Sequence, residues 1–277
     1  MVVPFGSARE RRSRTTYRPT VAPEGSAHFH NVTGATSSVS RTDSEEVYAG
    51  RVIRAVIVDV DDTLCLTQAA ALALENEVLA EMGRPPIPPH VHLSTWGAPL
   101  LDAMPIRSPG LDLARFTALH QRALERHVAD GRLDVVPPEN LRALDEFVLS
   151  GRKVFLLTSR TEAEIRHMLA PDHVLATRIS GVYHAGNMRF RKPDPRAFDE
   201  LLASTGLPPA QCVYVGDSPG DALAAGGAGL HFIGCLQSRI RTPADFDPRY
   251  VDAFVDAFPA IVDAVRQLDP VTPVSSG

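Results

Sequence analysis

From Val52 onward the chain alternates short β-branched runs with longer alanine- and leucine-rich stretches whose apolar residues recur at helical spacing. The runs are VIRAVIVDV ending at Val60, KVFLLTS from Lys153 to Ser159, the fainter RISGVYH around Ile179, CVYVGD from Cys212 to Asp217 and LHFIG from Leu230 to Gly234. Their alternation with helix patterns predicts an α/β fold, a mostly parallel sheet with helices on both faces. Such sheets bind ligands at the carboxyl ends of their strands, so the polar residues that follow each run are the place to look for chemistry.

The first and second runs are separated by Leu64 to Arg152, about ninety residues, far more than a crossover connection needs. This excursion predicts a smaller α-helical domain inserted after the first strand, over residues 66–137, with a core domain formed by residues 51–65 and 138–277. Helices are expected over Gln68 to Gly83 and Leu111 to Gly131, each stopped by its glycine, around a proline-rich stretch that holds the only tryptophan, Trp96. Pro138 and Glu139 open a further helix that stops at Gly151.

Composition then narrows the function classes. With 28 basic and 33 acidic side chains the net charge is -5, and no Lys/Arg cluster is dense enough to follow a nucleic-acid backbone. No apolar run approaches the length of a membrane span or a secretory h-region, and the three widely spaced cysteines suggest neither disulfides nor zinc. The expectation is a cytoplasmic protein with no nucleic-acid or membrane partner. Residues 1–50, rich in Ser, Thr, Arg, Gly and Pro, read as a disordered extension with some of the Arg-rich, acid-poor look of a transit peptide.

Four chain segments supply polar groups to the predicted edge. The first strand ends in Asp59-Val60-Asp61-Asp62-Thr63, the second in Thr158 and Ser159; Lys192 precedes a helix in RKPDP; and Gly216-Asp217 is followed by Asp221. Acids directly after a buried apolar strand are costly unless they meet a cation or a reacting group. GDSPG alone also reads as a nucleophile elbow around Ser218, but His231 is the only histidine after it and lies in the next strand, badly placed for a triad. Ser218 is better taken as a helix cap.

These motifs, in this order, resemble the haloacid dehalogenase-like (HAD) superfamily, specifically its phosphatase branch with a helical cap, similar to phosphoglycolate phosphatases and β-phosphoglucomutases. The resemblance covers Val52 to Leu268 and implies a Rossmann-like core. It implies Asp59 as nucleophile forming an aspartyl-phosphate, Asp61 as acid and base, and Thr158, Ser159 and Lys192 as phosphoryl contacts. It further implies Mg²⁺ held by Asp59, the Asp61 carbonyl, Asp217 and, through water, Asp221. Asp62 stands where many relatives have glycine. In the cap, HLSTWGAPLLDAMPIR is the expected specificity segment, with Trp96 as an aromatic wall and Arg107 as an anion binder. His90 and His92 read as surface histidines. The reading is a Mg²⁺-dependent phosphatase of a small phosphorylated metabolite; the alternatives are a phosphomutase and, further off, a non-enzymatic phosphate-binding regulator.

Overall fold

The computed structural model describes residues 52–269; the extension read over residues 1–50 lies outside the described residues. Six strands form one sheet: β1 (Ala55–Val58), β2 (Lys153–Leu157), β3 (Gly181–Tyr183), β4 (Cys212–Gly216), β5 (His231–Cys235) and β6 (Ala253–Val255). Their order is β3-β2-β1-β4-β5-β6 and every pairing is parallel, as the α/β reading requires. The period of two along β1 explains why one strand serves two layers. Val56 and Val58 enter the core on one face with Phe147 and Val265, while Ala55 and Ile57 enter the other with Phe198 and Tyr214. All three cysteines are buried and unpaired.

The sequence pattern misses β6. Of its three residues AFV at the sheet edge only Val255 is buried, and pairing with β5 rather than an apolar run defines it.

The excursion after β1 is helical, as expected. It contains α1 (Gln68–Glu81), α2 (Pro89–Ser94), α3 (Leu100–Arg107) and α4 (Leu113–Ala129), and α5 (Pro138–Leu149) follows on the core. The two short helices fall in the proline-rich stretch, with Pro89 opening α2 and Pro105 within α3. Leu74, Val78 and Leu79 of α1 pack with Phe116, Leu119 and Ala123 of α4, and Ile87 and Met104 join them. The lobe thus has an apolar core of its own, separate from the two clusters that cover the sheet. After β2 come α6 (Glu162–Ile165), α7 (Asp199–Thr205), α8 (Pro219–Gly227) and α9 (Ile261–Leu268).

The strand order reverses between β1 and β4, and parallel sheets open a crevice at such a point. Their register, Val58 opposite Val215, brings Asp59 and Gly216-Asp217 out side by side. There β4 passes so close to α8 that a Cβ added at Gly216 would lie 2.6 Å from Asp221 Oδ2. Gly216→Ala should therefore destabilise the protein by about 1–3 kcal/mol through overpacking, read as a lower midpoint in urea unfolding.

Candidate active site

Asp59 leaves β1 with its amide bonded to the Val215 carbonyl (2.9 Å), which fixes its backbone to the end of β4. Asp59 is 5% exposed, and Asp217 and Asp221 are 7% and 1% exposed. One carboxylate oxygen from each of the three lies within 4.8 Å of the others. Ser218 caps α8: its hydroxyl accepts from the Asp221 amide (3.2 Å), while Asp221 Oδ2 accepts from the Ser218 amide (3.0 Å) and hydroxyl (2.8 Å). His231 lies in β5 with Asp252 as its partner, so the elbow reading of GDSPG has no triad.

Lys192 binds this cluster together. Its Nζ lies 3.0 Å from Asp59 Oδ1, 2.7 Å from Asp221 Oδ1 and 2.8 Å from the Tyr214 hydroxyl. Burial opposes its charge, but Asp221 and Asp59 outweigh burial and hold the ammonium well above its ordinary pKa. Burial pushes the Asp59 carboxyl up to about 7 despite Lys192, with Asp221 and Asp61 adding to the rise. Asp217 is pushed up as well, by burial first and then by Asp221 and Asp59. Among the described residues nothing donates a hydrogen bond to its carboxylate. A buried, unpartnered carboxylate beside two others is a costly arrangement that a cation relieves.

Asp61 turns the other way. It accepts from the Thr67 hydroxyl (2.6 Å) and from Arg160 Nε (3.0 Å) and Nη2 (2.5 Å). Arg160 also forks onto Asp134, through Nη1 (2.7 Å) and Nη2 (2.8 Å). Although burial works against it, Arg160 holds the Asp134 carboxyl well below the usual range. Asp134 lies on the stretch between α4 and α5, so this ion pair ties the chain's return from the lobe to the end of β1. Sequence reasoning did not single out Arg160 or Asp134, although Arg160 directly follows Thr158 and Ser159.

Asp62 adopts a left-handed backbone (φ 54°), a conformation glycine takes freely and Asp tolerates better than most residues. Its carboxylate accepts from the Thr67 (3.0 Å) and Gln68 (3.2 Å) amides at the start of α1, and from Trp96 Nε1 (2.6 Å). Asp62 therefore has structural work to do at the junction of β1, α1 and the lobe.

A cavity of about 490 Å³ connects the two parts. Asp59, Asp61, Ser159, Lys192, Asp217 and Asp221 line it from the core, and Trp96 and Arg107 from the lobe. Thr158, fully buried, does not line it, and its hydroxyl accepts from the Arg160 amide (3.3 Å). Segment 92–107 thus forms part of the wall, but Arg107 is engaged internally. Its Nη1 donates to Glu75 Oε1 (2.6 Å) and its Nε to the Thr95 hydroxyl (2.8 Å). His92 is fully buried with Glu75 and Gln68 as partners, which corrects the surface reading; a polar residue two positions from an exposed His90 gives no sign of that in the sequence.

Residues 56–235 match the family model described as haloacid dehalogenase-like hydrolase. The chain belongs to that family. Among HAD relatives, a phosphoglycolate phosphatase of Pseudomonas syringae pv. tomato is 26% identical over 200 residues, covering 68% of this chain and 71% of that one. One from Pseudomonas fluorescens is 28% identical over 199 residues, covering 69% and 72%. The solved structure of CbbY from Rhodobacter sphaeroides in complex with phosphate superposes with a TM-score of 0.62 at 19% identity, over 76% of this chain and 96% of that one.

HAD hydrolases use a divalent metal, and the donor set here fits one. Three carboxylates offer hard oxygen ligands, and Asp217 lacks any other partner among the described residues. Asp221, already shared by Lys192 and Ser218, is the least free of the three. The ion pair behind Asp61 is testable on stability alone. Arg160→Met takes the guanidinium from Asp61 and leaves buried Asp134 with His167 Nε2 (2.9 Å) as its remaining partner, so it should cost about 3 kcal/mol in urea unfolding.

Proposed function

We propose that the protein is a Mg²⁺-dependent phosphatase of a small phosphorylated metabolite, acting through an aspartyl-phosphate on Asp59. The observation that carries this reading is the cluster at the ends of β1 and β4: Asp59 held by Lys192 beside an unpartnered Asp217. Family membership and the phosphoglycolate phosphatase relatives support it. In the first step an Asp59 carboxylate oxygen forms a bond to phosphorus as the bond to the leaving alcohol breaks, and Asp61 protonates that alcohol. In the second, water attacks phosphorus, Asp61 takes its proton, and Asp59 is released with inorganic phosphate.

A bound Mg²⁺, held by Asp59, Asp217, the Asp61 carbonyl and more remotely Asp221, would supply charge to the phosphoryl oxygens. Lys192 and Ser159, both on the cavity wall, would take further phosphoryl oxygens. Arg160 and Thr67 occupy both carboxylate oxygens of Asp61, so proton exchange with the alcohol or water requires Asp61 to give up one of these partners. We assign residues 66–137 the role of a cap that closes over the cavity and keeps bulk water from the first step.

In Mg²⁺ the purified protein should hydrolyse p-nitrophenyl phosphate with release of inorganic phosphate, and Asp59→Asn should abolish turnover; an active Asp59→Asn enzyme would contradict the mechanism. The metal itself can be followed without catalysis. Asp59 rises from 3.8 to about 7 on folding and Asp217 rises too, so the folded apoprotein holds protons that the unfolded chain releases. The stability these groups contribute is therefore lost as pH climbs from about 4 through 7. A cation competes with those protons. The gain in Tm from saturating Mg²⁺ should be larger at about pH 8 than at about pH 6, and Asp217→Asn should shrink it; a gain independent of pH and of Asp217 speaks against this metal site.

A further inference from the structure

The cations on the cavity wall are committed to internal carboxylates, with one exception. Arg107 is paired with Glu75, Arg160 with Asp61 and Asp134, and Lys192 with Asp59 and Asp221. Arg241 lines the same cavity but makes no ion pair or hydrogen bond among the described residues, and its Nε is buried without a partner. A buried guanidinium N–H left unpaired is a cost that a native structure rarely leaves standing without a ligand or solvent to meet it. Asp245 feels the Arg241 charge, which helps to lower its carboxyl pKa after the Thr242 hydrogen bonds, but the two form no ion pair or hydrogen bond, and Asp245 Oδ2 instead accepts from the Thr242 amide (2.7 Å) and hydroxyl (3.0 Å).

The segment that carries Arg241 is anchored to the reacting edge. It follows β5, and Gln237 pins it from both ends of its amide: Nε2 donates to the Thr63 carbonyl (2.5 Å), and Oε1 accepts from the Phe258 amide (3.2 Å). Arg241 is therefore presented by a loop fastened to the same β1 turn that carries Asp59, and it shares the wall with Ser218, Pro219 and Gly220 at the start of α8. The transferring phosphoryl group already has Lys192, Ser159 and the metal site. The other Lys and Arg side chains on this wall are already paired with carboxylates, so a second anion on the substrate would find no free lysine or arginine there.

We infer that Arg241 receives a second anionic group, a carboxylate or a phosphate, carried by the leaving alcohol. The preferred substrates are then phosphate monoesters of acidic or phosphorylated alcohols rather than of neutral ones. The inference rests on the phosphatase reading above and goes further in giving that substrate its class. Arg241 acts by binding, through charge-assisted hydrogen bonds to the leaving group, and takes no part in proton or phosphoryl transfer.

The test compares kcat/KM in Mg²⁺ for 2-phosphoglycolate, glucose 1,6-bisphosphate, glycerol 2-phosphate and p-nitrophenyl phosphate, in the wild type, Arg241→Gln and Arg241→Lys. The wild type should favour one of the first two over glycerol 2-phosphate, and which one separates carboxylate from phosphate recognition. Arg241→Gln should reduce that preference roughly tenfold to a hundredfold, mainly through KM, and Arg241→Lys should retain part of it. A wild type that favours glycerol 2-phosphate overturns the inference. So does an Arg241→Gln enzyme whose four values fall in equal proportion, which would place Arg241 on the transferring phosphoryl group instead. Absence of turnover of all four esters removes the phosphatase reading and this inference with it, whereas turnover without discrimination removes the inference alone.

Discussion

The site depends on one ammonium group placed among carboxylates at the edge of a buried sheet. Lys192 touches Asp59, Asp221 and the Tyr214 hydroxyl, and Tyr214 stands within β4 with its hydroxyl donating to the Leu157 carbonyl at the end of β2 (3.2 Å). The lysine thereby connects the middle strands of the sheet through side chains as well as compensating their acids. Without it, three buried carboxylates would face one another with no counter-charge from the protein, and the usual outcome is neutralisation by protons. With it, the charge deficit that remains is centred on Asp217, where a divalent ion can make it good. Fold and chemistry share this constraint, because the short apolar strands that bury the core also deliver the acids to the place where they are costly.

Much of this was legible in the chain. The apolar runs gave five of the six strands, and the acids that follow two of them, with Lys192 ahead of α7, marked the reacting edge. What could be read was local: a run, its polar ending and a spacing. β6 escaped because a three-residue edge strand exists through its neighbour, and helices α2 and α3 escaped because prolines that usually break helices here open or interrupt short ones.

The side chains that were misjudged or missed belong to long-range pairs. Arg107 carries the sequence look of an anion binder, yet its anion is Glu75, thirty-two positions earlier and inside the same lobe. His92, fully buried, is bonded to that same Glu75. Arg160 and Asp134 form a fork whose partners no spacing rule connects. A charge in a sequence announces that a counter-charge is needed; whether the counter-charge is protein, metal or substrate is decided by the fold. Among the described lysines and arginines of the cavity wall, Arg241 is the one left with that question open.

The bond between Trp96 and Asp62 has a practical consequence. The chain has a single tryptophan, and its indole N–H is held by the carboxylate next to Asp61, across the junction between lobe and core. Parting of the two lobes breaks that bond and alters the surroundings of the only indole. The protein therefore contains its own optical gauge of lobe position, readable from intrinsic emission without any label.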